Sequence, residues 1–190
     1  MTSLLRRMSP RASLAALLLL LGLAAPLGAS PQPNDDALTA QRRIEAAYLY
    51  KFGAYITWPD NTFAASDSPI VIGVAGADAL ADDLTALVAG RKAGDRPVVV
   101  KKLQPGDSLA GIDIVFVGAK ADALIGDARS LPVLVVVAGE DGLQRGAMVS
   151  FVLVDDRVRF DVALDPVQRS GLKLSSQLLS VAHSVSGAQP

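Results

Sequence analysis

Cysteine is missing from this 190-residue chain, histidine and tryptophan occur once each, and aromatic residues make up only 5%. Each shortage closes a route. Without cysteine there is no disulfide, no thiolate nucleophile, no thiolate metal site and no lipid-modified lipoprotein anchor. One histidine cannot build a histidine-rich metal centre, and the carboxylate doublets Asp82-Asp83 and Asp155-Asp156 suit solvated helix and turn positions better than a coordination shell. A P-loop lysine motif and a G-x-S-x-G elbow are both absent, so His183 with nearby Ser176 and Ser180 lacks the frame of a serine hydrolase. Charge is balanced at 18 basic against 19 acidic residues, which provides no basic footprint for nucleic acid. No cofactor, metal or catalytic set is expected.

Long apolar runs are also scarce, with one exception at the start. Arg6, Arg7 and Arg11 precede an apolar run from Leu14 to Ala25, followed by Pro26, Gly28, Ala29 and Ser30. That order of charge, grease and small residues predicts a secretory leader over residues 1–29, cleaved near Ala29. The alternative is a retained anchor, but the run falls short of the ~20 apolar residues that span a bilayer. Removing the leader removes three arginines and leaves an acidic, soluble, exported product. Its stability must come from packing rather than cross-links.

Residues 30–36, "SPQPNDD", read as a flexible lead-in, with Asn34, Asp35 or Asp36 capping the next helix. Ile44, Tyr48, Phe52 and Tyr55 recur at helical spacing, and Trp58-Pro59 ends that helix. Four short apolar strands follow at 70–75, 98–100, 112–117 and 133–138. Between them lie a helix carrying Leu80, Leu84, Leu87 and Val88, and another carrying Leu124, Ile125 and Ala128. The turn "GVAGAD", Gly73 to Asp78, lacks the third glycine of a dinucleotide fingerprint and reads as a tight turn. Arg91-Lys92 and Lys101-Lys102 read as charges that keep an edge strand soluble.

The stretch "SFVLVDDRVRFDVAL", Ser150 to Leu164, is the best-alternating segment. With Asp155-Asp156 as a two-residue turn, Leu153 faces Val158, Phe151 faces Phe160 and Val149 faces Val162 on one apolar side. The other side pairs Val152 with Arg159 and Ser150 with Asp161. A last helix is expected from Ser175 or Ser176, with Leu178, Leu179, Ala182 and Val185 inward. Together these elements predict an α/β single domain over residues 37–186. Its mainly parallel central sheet is flanked by helices and ends in a C-terminal antiparallel hairpin and a final helix.

The stretches "AAYLYKFGAYITWP" (46–59), "PIVIGVAG", "GIDIVFVG" and "GAMVSFVLVDDRVRFDVALDPVQRSGLKLSSQLLSVA" (146–182) together resemble the YfiR/HmsC-like family of exported proteins. The resemblance implies a non-catalytic periplasmic repressor. Its partner would be the periplasmic sensor region of an inner-membrane diguanylate cyclase, held inactive to limit cyclic-di-GMP and biofilm formation. It also implies a homodimer and, in some members, a small aromatic ligand. Two departures stand out. Family members commonly carry disulfide-forming cysteines, one of them at the position of Ile112, and the family's Gly-Gly-Met is Gly146-Ala147-Met148 here. A reversible interface should mix apolar anchors with a charged rim. On that ground the candidate partner- or ligand-binding residues are Trp58, Arg159, Asp161, Leu172, Lys173 and Gln177. The competing reading of Arg159 and Asp161 is an internal pair beneath the last helix.

Overall fold

A 23-residue helix, α1 (Pro33–Tyr55), opens the part of the chain that the computed structural model describes, residues 33–187. The leader expected at 1–29 lies outside the described residues. The helix begins at Pro33, inside the stretch expected to be a flexible lead-in. Proline suits a first helical position, and Asp35 and Asp36 in the first turn face the positive end of the helix dipole. The buried face is made by Ala46, Leu49 and Phe52, whereas Ile44 is 44% exposed. Of the stripe read from the sequence, Phe52 is fully buried and Tyr48 packs against the core, while Ile44 and Tyr55 are exposed. The helix also lies close to its neighbours: a Cβ on Gly53 would come within 3.1 Å of the Ala93 Cβ.

After β1 (Ile56–Thr57), the central body is built from short apolar strands. These are β2 (Ile70–Ala75), β3 (Lys92–Ala93), β4 (Arg96–Leu103), β5 (Ile114–Val117) and β6 (Leu134–Ala138). Helix α2 (Asp78–Val88) connects β2 to the β3–β4 pair. Helix α3 (Ala123–Asp127), extended by a 3-10 turn at Ala128–Ser130, connects β5 to β6. The chain then forms β7 (Val149–Val154), β8 (Arg157–Ala163), α4 (Leu164–Arg169), β9 (Lys173–Leu174), α5 (Ser176–Ser180) and β10 (Ser184–Ser186).

Among the described residues the main sheet has eight strands in the order β10-β8-β7-β6-β5-β2-β4-β3. The ladders of β2 with β4 and β5, β5 with β6, β6 with β7 and β8 with β10 are parallel. Those of β7 with β8 and β3 with β4 are antiparallel. The chain steps outward in opposite directions from β2 to β4 and from β5 to β6. Right-handed crossovers therefore put α2 and α3 on opposite faces. This is the expected mainly parallel α/β architecture, and the fully buried strands β2 and β5 show why continuous apolar runs announced it.

Two details pin the centre. Asp113 is buried just before β5, and its Oδ2 accepts the Val71 N–H at 2.8 Å while backbone bonds tie it to Val71 and Leu134. Gly76, with φ of 65°, follows the last residue of β2 within "GVAGAD", where any Cβ would collide with the Ala119 carbonyl. The turn is tight because two loops touch there.

The hairpin has the register read from the sequence, with Asp155 and Asp156 both at positive φ (49° and 57°) as a type I′ turn requires. Its apolar face packs under α1: Phe160 lies 5.3 Å from both Tyr48 and Phe52, ring centre to ring centre. Leu153 is the exception, 52% exposed at the tip. The C-terminal segment departs further from expectation. The final helix is only Ser176–Ser180, begun by the Ser175 hydroxyl accepting the Leu178 N–H at 3.2 Å. Val185 is not an inward helical residue; it lies on β10, which adds to the sheet beside β8. Helix α4 was not anticipated, nor was β9, which pairs antiparallel with β1 through Ile56 opposite Leu174 and Thr57 opposite Lys173.

Candidate functional site

The polar side of the hairpin resolves into three separate local chemistries. Ser150 is buried, and its hydroxyl donates to the Gly139 carbonyl, where the 139–147 loop crosses the sheet. That loop passes so close that a Cβ on Gly142 would collide with the Ser150 side chain. Asp161 does not pair with Arg159. Its Oδ1 lies 2.9 Å from Nδ1 of His183, whose backbone N–H also donates to the Phe160 carbonyl. The single histidine thus anchors the approach to β10, a structural task.

Arg159 takes a third course and reaches a cleft between α1 and α5. The cleft has a volume of about 470 Å³. Its floor includes Phe52, Phe160 and Leu178, and its rim carries Tyr48, Lys51, Tyr55, Arg159, Gln177 and Val181. An apolar floor under two tyrosines and two cations can hold an aromatic or acidic group, whether on a small molecule or on a partner protein. Val181 is 56% exposed at its edge, a natural apolar anchor. Helical spacing in α1 places Tyr48, Lys51 and Tyr55 on one side of that helix.

Of the six residues singled out from sequence, the structure brings Arg159 and Gln177 together in this cleft. Trp58 lies elsewhere. It is buried, stacked edge-on against Phe63 at 5.6 Å, and its indole N–H has no acceptor among the described residues. It lines a second, shallower groove of about 750 Å³ with Pro59, Asp60 and Arg96. Arg96 holds that groove's loop, with its guanidinium 3.9 Å above the Phe63 ring and donating to the Ala65 and Ser68 carbonyls at 2.9 Å. Leu172 is buried in the core. Lys173 is exposed on β9 and opposite Thr57, on the strand pair next to Trp58.

Sequence reading missed Tyr48, Lys51 and Tyr55 as cleft residues because Tyr48 and Tyr55 were read only as members of a helical stripe and Lys51 was not considered. The half-polar nature of tyrosine, with a lysine one turn on, was the available signal. Among the described residues no group of acids and histidine is arranged to hold a metal, and no helix is long and apolar enough to cross a membrane.

Comparison with known proteins places the chain. No curated protein matches it. Among solved structures it is similar to a conserved domain protein from Vibrio cholerae O1 biovar El Tor strain N16961, at 12% identity with a TM-score of 0.52. That match covers 76% of this chain and 60% of the other, so the present chain spans only part of the relative's length and shares its fold. The family described as YfiR/HmsC-like matches residues 42–183, from the middle of α1 to the histidine that anchors β10. By that match, which takes in both grooves and the whole hairpin, the chain belongs to the YfiR/HmsC-like family.

Proposed function

We propose that this protein is a non-catalytic periplasmic negative regulator. It is exported on a cleaved leader at residues 1–29 and acts as a homodimer of a domain spanning 37–186. It binds the periplasmic sensor region of an inner-membrane diguanylate cyclase and so represses cyclic-di-GMP production and biofilm formation. The observation that carries this reading is family membership over residues 42–183. The shape of the α1–α5 cleft is consistent with it: an apolar floor, an exposed Val181 and a cationic rim of Lys51 and Arg159 fit a reversible contact with an acidic or aromatic partner segment. Repression then works by population shift. Tenfold control requires the repressor to prefer the inactive cyclase by about 1.4 kcal/mol.

Deleting the chain in its host should raise cellular cyclic-di-GMP, and supplying Arg159→Glu should fail to restore repression although the protein folds. Unchanged cyclic-di-GMP on deletion counts decisively against the proposal. The second reading is a periplasmic sensor of a small aromatic ligand, favoured by Tyr48 and Tyr55 facing the same cleft. Titration with aromatic amino acids, followed by melting temperature, separates the two readings. Saturable stabilisation that Arg159→Glu abolishes supports the sensor.

A further inference from the structure

A third cavity lies away from both grooves, where the N-terminal half of α1 crosses the end of β6 and the tip of the hairpin. It has a volume of about 210 Å³ and is lined by Gln41, Glu45, Glu140, Phe151, Leu153 and Val158 with their neighbours. Its composition is one-sided. The walls are apolar, the charged side chains are two carboxylates, and no lysine, arginine or histidine lines it. Glu45 is only 6% exposed, as deeply buried as Asp113 at the centre of the sheet. One of its carboxylate oxygens accepts from Gln41 Nε2 at 2.9 Å; the other has no hydrogen-bond partner among the described residues. Donating that amide N–H leaves the Gln41 carbonyl as a further acceptor.

We propose that this cavity is a binding site for a small organic ammonium compound, a primary amine with a short branched or cyclic apolar body. The ammonium would sit between Glu45, Gln41 and Glu140, and the apolar body against Phe151, Leu153 and Val158. Three features make an ammonium the right class. Every polar side chain there can accept, which matches a group with three donors and no acceptor. Burial holds the Glu45 carboxyl above the ordinary carboxylate range, with Gln41 and the nearby Arg42 guanidinium opposing the shift less strongly. Arg42 is itself engaged with Asp83 at 2.5 Å, so the charge of Glu45 lacks a direct partner that a bound cation would supply. Size sets the limit: the cavity holds roughly seven waters' worth of space, suiting a ligand of about that many non-hydrogen atoms. The site is separate from the α1–α5 cleft, so the two proposals stand or fall independently.

The test uses the exported protein without its leader and three probes that share one 3-methylbutyl body in calorimetry: 3-methylbutylamine, 3-methylbutan-1-ol and 4-methylpentanoate. The amine should bind saturably, at least about tenfold tighter than the alcohol, with no binding of the acid. Glu45→Gln should weaken the amine about tenfold or more and leave the alcohol unchanged, and Glu140→Gln should cost about threefold because that acid is exposed. Should Glu45→Gln fail to fold, Leu153→Lys at the exposed rim provides a second route, its own ammonium displacing the probe. Equal affinity for amine and alcohol overturns the proposal, as does amine binding that survives both Glu45→Gln and Leu153→Lys.

Discussion

The centre of the sheet and its C-terminal edge are built on different terms. Strands β2, β5 and β6 bury almost every side chain, and both β2 and β5 have parallel neighbours on each side. The edge that α5 and β10 add beyond β8 is held by few contacts: one three-residue parallel ladder, a one-turn helix with a serine cap, and a histidine–aspartate pair at the surface. Stability is concentrated in the first region, while the candidate cleft lies at the junction, with Arg159 on the well-paired β8 and Gln177 and Val181 in the second region. A marginal edge on a rigid sheet can accommodate a partner without endangering the core.

The sharpest way to test this contrast is at the seam. Phe160→Ala removes a fully buried ring that packs on Tyr48 and Phe52, and should cost about 3–5 kcal/mol in urea unfolding. Val185→Ala on β10 should change stability by no more than about 0.5 kcal/mol. Equal losses would erase the distinction.

A smaller effect comes from pH. Burial raises the carboxyls of both Glu45 and Asp113, for Asp113 against the opposing Val71 N–H and the charges of Arg96 and Lys101. Folded protein then holds more protons than unfolded protein between the ordinary carboxylate value and the raised ones. Stability contributed by these groups is present in acid and falls as pH rises through that window. Glu45→Gln and Asp113→Asn should each flatten that decline and should not reduce stability at pH 7. A stability that rises through the same window because of these two groups would contradict the assignment.

Smaller again, Ser175→Ala should cost about 1 kcal/mol by uncapping α5, and should weaken the cleft through Gln177 and Leu178. Last, His183→Ala should cost less than about 1 kcal/mol, since its pair with Asp161 is largely exposed. It should nonetheless speed amide exchange in β10 and leave β5 untouched. Faster exchange in β5 as well as in β10 would show that the edge and centre unfold as one.

Legibility in the sequence follows the same division. Ile70–Ala75 matches its strand to the residue, and the hairpin register holds at every pair, because a two-residue turn and alternation leave one solution. The helical stripe of α1 was legible in part: Phe52 is buried and Tyr48 packs on the hairpin, whereas the close approach at Ala46 and Gly53 and the exposure of Ile44 were not. The last helix was overextended. Leu178, Leu179, Ala182 and Val185 fit a helical stripe, but β8 offers an unpaired edge that residues 184–186 complete instead. Of the six candidate residues, Arg159 and Gln177 line one cleft, while Trp58 and Leu172 are drawn inward by apolar burial.

By itself the sequence determined the mainly parallel sheet, the hairpin and its turn, and, with no cysteine, the want of thiol chemistry. Continuous apolar runs, strict alternation and residue inventory are local properties. Only the tertiary structure decided that Asp161 belongs to His183, that Tyr48, Lys51, Arg159 and Gln177 share a cleft, and that Glu45 is buried beside a cavity. Those pairings join residues far apart in the chain, and which of them meet depends on the close approach of α1 to the sheet and on strand order. Neither is written in any short segment.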